Sequence, residues 1–202
     1  MDRARVVVLV SGGGTNLQAL LDAAADPGYP AQIVGVGADR LAAPALARAD
    51  SAGVETFVVA PDQHPSRGAW DLALADAAAV HLPDLIVLAG FMHLVGPVFL
   101  ERFPRMVINT HPALSPAFPG MHAPRDAIEH GVKVTGCTIF VVDEGVDTGP
   151  IVAQAAVPVL DGDDVETLHE RIKEQERMLL VRTVADMVTH PYRIEGRKVV
   201  WT

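Results

Sequence analysis

The feature that most restricts this chain is an abrupt change of pattern near its start. Residues 5–10 read Arg-Val-Val-Val-Leu-Val, Ser11-Gly12-Gly13-Gly14 follows at once, and an Ala/Leu-rich segment begins at Thr15. A continuously apolar strand, a glycine turn and a helix, in that order, make the βα unit of a parallel sheet buried on both faces. The unit recurs. Residues 32–36, 54–59, 85–89 and 106–110 read as further strands. Residues 15–25, 44–52, 66–80 and 97–102 read as the helices between them, with Ser66 a candidate N-cap behind Pro65. The expected fold class is α/β, a doubly wound and mostly parallel sheet with right-handed crossovers. Ligands of such sheets bind at the carboxyl ends of the strands.

The pattern changes after residue 110. Pro112, Pro116 and Pro119 exclude regular structure over residues 112–120 and predict a long ordered loop. Residues 123–130 suggest a short helix, 135–142 and 151–159 two more strands, and 163–187 a long amphipathic helix. Residues 192–201, with a Glu195-Gly196 turn between apolar-rich arms, predict a terminal hairpin. These are antiparallel additions to the sheet. Neither a linker nor a repeat interrupts the chain, so a single domain over 1–202 is expected, with halves 1–110 and 111–202.

Charge and composition narrow the function. Half of the 202 residues are hydrophobic, enough for a sizeable core, and the net charge is −9. That balance counts against nucleic-acid or membrane-surface partners. It leaves room for a small anionic ligand held by backbone amides. A single cysteine, Cys137, allows no internal disulfide and fits a reducing compartment. With no apolar run of membrane-spanning length and a strand almost at the N-terminus, a cytoplasmic protein is expected. No His-Glu-x-x-His pattern and no cysteine pair is present, so no metal is expected.

Three segments carry candidate chemistry. Ser11-Gly12-Gly13-Gly14-Thr15-Asn16 is either an anion cradle at a helix N-terminus or an ordinary strand-to-helix turn. It lacks the third glycine of the dinucleotide fingerprint and the Gly-Lys-Ser/Thr of a Walker loop, so neither a nicotinamide cofactor nor a nucleoside triphosphate is indicated. Asn109 and His111, two apart at a strand end, face one side. An amide and an imidazolium there can stabilise charge on a carbonyl oxygen, and the imidazolium can also deliver a proton. Equally, Asn109 could brace the following loop and His111 be a satisfied structural histidine. No Gly-x-Ser-x-Gly elbow is present and Cys137 falls inside a strand, so direct transfer is favoured over a covalent intermediate. Asp143-Glu144-Gly145-Val146-Asp147-Thr148-Gly149-Pro150 is a solvated acidic turn or the source of a carboxylate that keeps His111 charged. Gly90-Phe91-Met92-His93-Leu94-Val95-Gly96 is an apolar slot or simply core leading into a turn. Arg67 and Glu176 sit on predicted helices and default to solvated surface.

Taken in order, these motifs resemble the phosphoribosylglycinamide formyltransferases, the folate-dependent enzymes of purine synthesis. The resemblance runs from Val6 to about Leu180. It rests on the glycine loop, Gly90-Phe91-Met92, Asn109-Thr110-His111-Pro112-Ala113-Leu114-Ser115-Pro116, Phe118-Pro119-Gly120, and the segment from Gly136 to Pro150. It implies a Rossmann-like formyltransferase fold with a phosphate-binding first half and a folate-site second half. It implies 10-formyltetrahydrofolate as formyl donor and the amine of glycinamide ribonucleotide as acceptor, with no metal. Asn109, His111 and Asp147 would be catalytic. Gly14, Thr15 and Asn16 would hold the phosphate, and Glu176 the ribose hydroxyls. Arg67, Met92, His93, Leu94, Val95, Asn109, Asp143 and Asp147 would line the folate side, and Ser115-Pro116 would be cis. The family often has Asn where Gly13 stands, Arg where His93 stands and His where Phe140 stands; the second departure bears on how the folate glutamate tail is anchored. The apolar-rich terminal hairpin is a candidate surface for a homodimer. A methionyl-tRNA formyltransferase would need a further domain and a basic face, a formyl-folate hydrolase would leave the glycine loop without a role, and a non-catalytic phosphosugar-binding module would bind without turnover.

Overall fold

Side-chain alternation along the first strand organises the molecule. In the computed structural model, which describes residues 2–202, β1 (Ala4–Val10) places Val6, Val8 and Val10 on one face and Val7 and Leu9 on the other, all fully buried. Each face needs its own covering layer, and each receives one. The elements that follow are α1 (Thr15–Ala24), β2 (Ala31–Ala38), α2 (Ala45–Ser51), β3 (Thr56–Val58), α3 (Arg67–Ala79), β4 (Leu85–Leu88), α4 (Pro97–Arg102) and β5 (Val107–His111). Then come α5 (Ala123–Glu129), β6 (Val134–Val141), β7 (Ile151–Pro158), α6 (Val165–Thr189), β8 (Tyr192–Glu195) and β9 (Lys198–Trp201). Leu17 and Leu20 of α1 and Leu180 and Val184 of α6 pack against Val6, Val8 and Val10. Trp70 and Leu74 of α3 and Phe99 of α4 pack against Val7 and Leu9.

The nine strands form one sheet in the order β3-β2-β1-β4-β5-β6-β7-β9-β8. Strands β3 through β5 are parallel, while β6 is antiparallel to both β5 and β7. The terminal hairpin joins through a single parallel register pair, Ile151 with Lys198. The chain winds outward from β1 to β3, then returns to place β4 on the other side of β1. That reversal opens a crevice at the carboxyl ends of β1 and β4, where doubly wound sheets receive ligands.

Most boundaries shift by a residue or two from the sequence reading, and two of the shifts have a visible cause. The third strand is only Thr56–Val58, because the Val54 amide turns back to the Ala49 carbonyl (2.9 Å) to close α2, with Gly53 at φ +69°. The last helix begins at Val165, because Asp164 caps it: its carboxylate accepts from the Thr167 amide and the Thr167 hydroxyl side reciprocates. Ser66 caps α3 as expected, accepting from the Ala69 amide at 3.2 Å.

Asp71 ties α3 to the segment that follows β4. It is buried and accepts from the Gly96 amide (2.6 Å) and the Phe99 amide (2.9 Å), satisfying the open N-terminus of α4. Asp71→Ala would leave both donors without their partner, the Phe99 amide in a buried position and the Gly96 amide in a partly buried one. We expect a loss of about 2–4 kcal/mol in denaturant unfolding, and a variant within 0.5 kcal/mol of the parent, roughly the level of a neutral surface change, would contradict this account.

Candidate active site

The crevice is built from loops at the carboxyl ends of four strands. The glycine loop leaves β1, and residues 90–96 leave β4. The two loops are joined by the Ser11 amide to the Gly90 carbonyl (3.3 Å) and by the Met92 amide to the Ser11 hydroxyl (2.9 Å). Asn109 and His111 end β5 and share a face, opposite Phe140 and Thr138 of β6. His111 is only 3% exposed.

Two elements grip the His111 ring. Its Nε2 lies 2.8 Å from the Phe118 carbonyl, and its Nδ1 lies 3.4 Å from Asp147 Oδ2. A carbonyl oxygen can only accept, so Nε2 carries a proton. The Asp147 carboxylate lies within ion-pair distance of the other ring nitrogen, so a charged ring would have a counter-charge beside it. Asp147 is itself fixed: it accepts from the Gly120 amide at 2.8 Å and sits at φ +53°. The acidic loop thus divides into two parts. Asp147 reaches His111, whereas Asp143 closes its own turn, accepting from the Gly145 amide (3.1 Å) and the Thr148 hydroxyl (2.6 Å). The Asn109 amide has no side-chain hydrogen bond among the described residues and stands half-exposed at the same edge.

A residue that sequence reasoning missed holds the loop 112–120 in place. Thr138 is fully buried; its hydroxyl donates to the Ala113 carbonyl (2.6 Å) and accepts from the Ser115 amide (2.9 Å) and the Gln154 amide group (3.0 Å). Gln154 also donates to the Ser115 carbonyl at 3.0 Å. The Ser115–Pro116 peptide is cis. In sequence Thr138 is one more β-branched residue in a strand, and only its pairing opposite His111 marks it.

The default surface assignment of Glu176 is corrected. It is 6% exposed, and its Oε2 accepts from the Asn16 side-chain amide at 3.0 Å. The Asn16 amide also lies 3.5 Å from the Thr110 hydroxyl, so α1, β5 and α6 meet behind the glycine loop. Asn16 Oδ1 is buried without a partner, an acceptor left over for a ligand. Gly14 takes φ +71° at the N-cap, and Thr15 is exposed in the first turn of α1. Arg67 is exposed as expected, its guanidinium 4.5 Å above the Trp70 ring. His93 stands edge-on to Trp70 and Phe91, with Nε2 3.1 Å from Asp39 Oδ2. Asp39, also missed, follows directly on β2; its place just past a strand's carboxyl end was the available signal. Met92 and Leu94 expose their side chains to the crevice region, while the Val95 side chain belongs to the core.

Cys137 lies in β6, fully buried, and burial followed by the Glu176 charge pushes its thiol up to about 12. At pH 8 only about one thiol in ten thousand would be ionised. We expect an aromatic disulfide reagent to leave the native protein unmodified at pH 8 and to react once denaturant is added. Rapid modification of the folded protein would count against this burial.

A hollow of about 790 Å3 lies elsewhere, at the amino ends of the strands. Its arginines are already engaged: Arg3 donates to the Ala24 carbonyl (2.6 Å) and Arg5 to the His81 carbonyl (2.9 Å). The candidate site residues stand at the opposite edge of the sheet.

Fold and site together define a doubly wound α/β protein with Asn109 and a His111–Asp147 pair at the sheet edge that also holds a glycine loop. The formyl transferase family model matches residues 4–184, and the chain belongs to that family. A Mycobacterium tuberculosis protein (strain H37Rv) named phosphoribosylglycinamide formyltransferase is 57% identical over 194 residues, 96% of this chain and 89% of its own length. The human trifunctional purine biosynthetic protein adenosine-3 is 38% identical over 200 residues, 98% of this chain and 20% of that longer protein. The crystal structure of glycinamide ribonucleotide transformylase 1 from Symbiobacterium toebii superposes with a TM-score of 0.96 at 46% identity, covering 98% of this chain and 94% of that one.

Proposed function

We propose that this chain is a phosphoribosylglycinamide formyltransferase, moving the formyl group of 10-formyltetrahydrofolate to the amine of glycinamide ribonucleotide in purine biosynthesis. The observation that carries the reading is the His111–Asp147 pair beside Asn109, at the edge that also holds the glycine loop. The relative's name and the extent of the match support the same substrates.

In this reading the amine lone pair attacks the formyl carbon, and the carbonyl oxygen gains negative charge. The Asn109 amide and the imidazolium donate to that oxygen. In the free protein the His111 Nε2 proton points at the Phe118 carbonyl, a neutral acceptor. An oxyanion makes a stronger charge-assisted hydrogen bond and would compete for that proton as the tetrahedral species forms. The differential favours the transition state over the bound substrate. Collapse breaks the bond from the formyl carbon to the folate nitrogen. The amine loses a proton and the folate nitrogen gains one, with Asp147 as carrier through water. Gly14, Thr15 and Asn16 would hold the phosphate and Glu176 the ribose hydroxyls, beside the unpartnered Asn16 Oδ1. Arg67, the main chain of Met92, His93, Leu94 and Val95, and the loop of Asp143 and Asp147 would line the folate side. Purified protein should form N-formylglycinamide ribonucleotide and tetrahydrofolate in equal amounts. No transfer with both substrates saturating would overturn the proposal. Formate release without ribonucleotide would point to hydrolysis instead.

A further inference from the structure

We infer that α2 and the turn before it clamp the glycine loop into shape for a phosphate dianion, with Arg40 and Arg48 as the positioning residues. The inference rests on the proposed ribonucleotide substrate and deepens it.

Three successive carbonyls of the loop are engaged from one side. Arg40 Nη2 donates to the Ser11 carbonyl (2.6 Å), the Ala45 amide to the Gly12 carbonyl (3.1 Å), and Arg48 Nε to the Gly13 carbonyl (2.7 Å). In a trans peptide the carbonyl and the next N–H point in opposite directions. Fixing the carbonyls of residues 11, 12 and 13 toward α2 therefore turns the amides of Gly12, Gly13 and Gly14 away from it. None of these three amides donates to a protein acceptor among the described residues. A Cβ on Gly12 or Gly13 would meet nothing within 4 Å, so neither glycine is crowded by protein there. At Gly14 a Cβ would fall 2.6 Å from the Ala45 Cβ, so α2 packs directly on the loop. The first-turn amides of α1 continue the row. Consecutive amides aimed at one point form an anion nest.

The clamp also contributes charge. Arg40 and Arg48 bond to neutral carbonyls, and neither has a carboxylate within ion-pair distance among the described residues. Asp39, the neighbour of Arg40, is turned to His93 instead. Arg48 further donates to Gln18 Oε1 (3.0 Å), locking α2 to α1. In a chain of net charge −9, two uncompensated guanidinium groups thus back the loop that faces the phosphate. They need not touch it. They fix the amides and bias the local potential, so their contribution falls on ribonucleotide binding and not on the chemical step.

The test is the kinetics of Arg40→Gln, Arg48→Gln and Arg48→Lys, with calorimetric binding of ribose 5-phosphate to each. Each Gln variant should raise the ribonucleotide KM about tenfold, the effect of losing one charge-assisted bond. The kcat and the folate KM should stay within about threefold of the parent, a split that general loosening of the fold would not produce. Arg48→Lys, which keeps the charge and one donor, should recover part of the loss. Ribose 5-phosphate affinity should fall in parallel, and this readout needs no turnover. Unchanged ribonucleotide KM, equal losses for both substrates, or a kcat effect alone would overturn the clamp. If the parent protein itself failed to bind ribose 5-phosphate, the substrate reading would fail, and the clamp with it. If the parent bound it and the Gln variants bound it equally well, only the clamp would fail.

Discussion

Replacing His111 with alanine should lower kcat by roughly a thousandfold or more, with the ribonucleotide KM changed by no more than about threefold. In the proposed mechanism the ring donates to the developing oxyanion and, unlike the Asn109 amide, can also pass a proton. It is held from two sides, by the Phe118 carbonyl and the Asp147 carboxylate, so neither a flexible neighbour nor water reproduces its geometry. Ribonucleotide binding should survive because the glycine loop draws its shape from α1 and α2, not from β5. Asp147→Asn is the companion variant. It keeps an oxygen for the Gly120 amide (2.8 Å in the parent) but removes the charge opposite the imidazole. A smaller kcat loss is expected there, because the variant keeps the ring's neighbour in place and removes only its negative charge. Steady-state kinetics with both substrates varied will decide. An alanine variant retaining a tenth of parental kcat would remove His111 from the chemistry.

Gly136→Ala should destabilise the protein by about 3 kcal/mol or more, without touching a functional group. Gly136 lies in β6 opposite Ala156, and a Cβ there would fall 2.0 Å from the Ala155 carbonyl oxygen and 2.8 Å from Leu114 Cδ2. A backbone oxygen in a strand ladder cannot swing aside as a side chain can. β7 would have to separate from β6, or the loop through Leu114 would have to lift. The second response also disturbs the Thr138 anchor of that loop. The measurement is a urea or thermal transition on the purified variant. A midpoint equal to the parent's would show that the ladder can yield and that this close approach does not limit the fold.

The sheet was legible because its cause is local and repeated. An apolar run followed by a helix recurs four times before residue 110, with a glycine turn after the first and the fourth run, and each strand fell within a few residues of its expected place. The strand error lies where a local bond ends an element, as at Val54, whose amide turns back to the Ala49 carbonyl and closes a helix instead of extending a strand. Asn109 and His111 were legible as a same-side pair for the same periodic reason, though spacing alone left a structural histidine equally open. Glu176 was misplaced by its type. A carboxylate on a helix defaults to solvent, and only the approach of Asn16 from 160 residues away explains its burial.

By itself, then, the sequence determined the winding of the parallel sheet, the edge at which such sheets receive ligands and the residue types available there. Its resemblance to a family added the chemistry. Tertiary structure alone decided which polar groups meet: Asp147 rather than Asp143 beside His111, Thr138 under the loop, Arg40 and Arg48 behind the glycines. The reason is range. Secondary structure follows from patterns over a few residues, which the chain displays openly. A hydrogen bond between distant residues depends on how whole elements pack, and no local pattern encodes that.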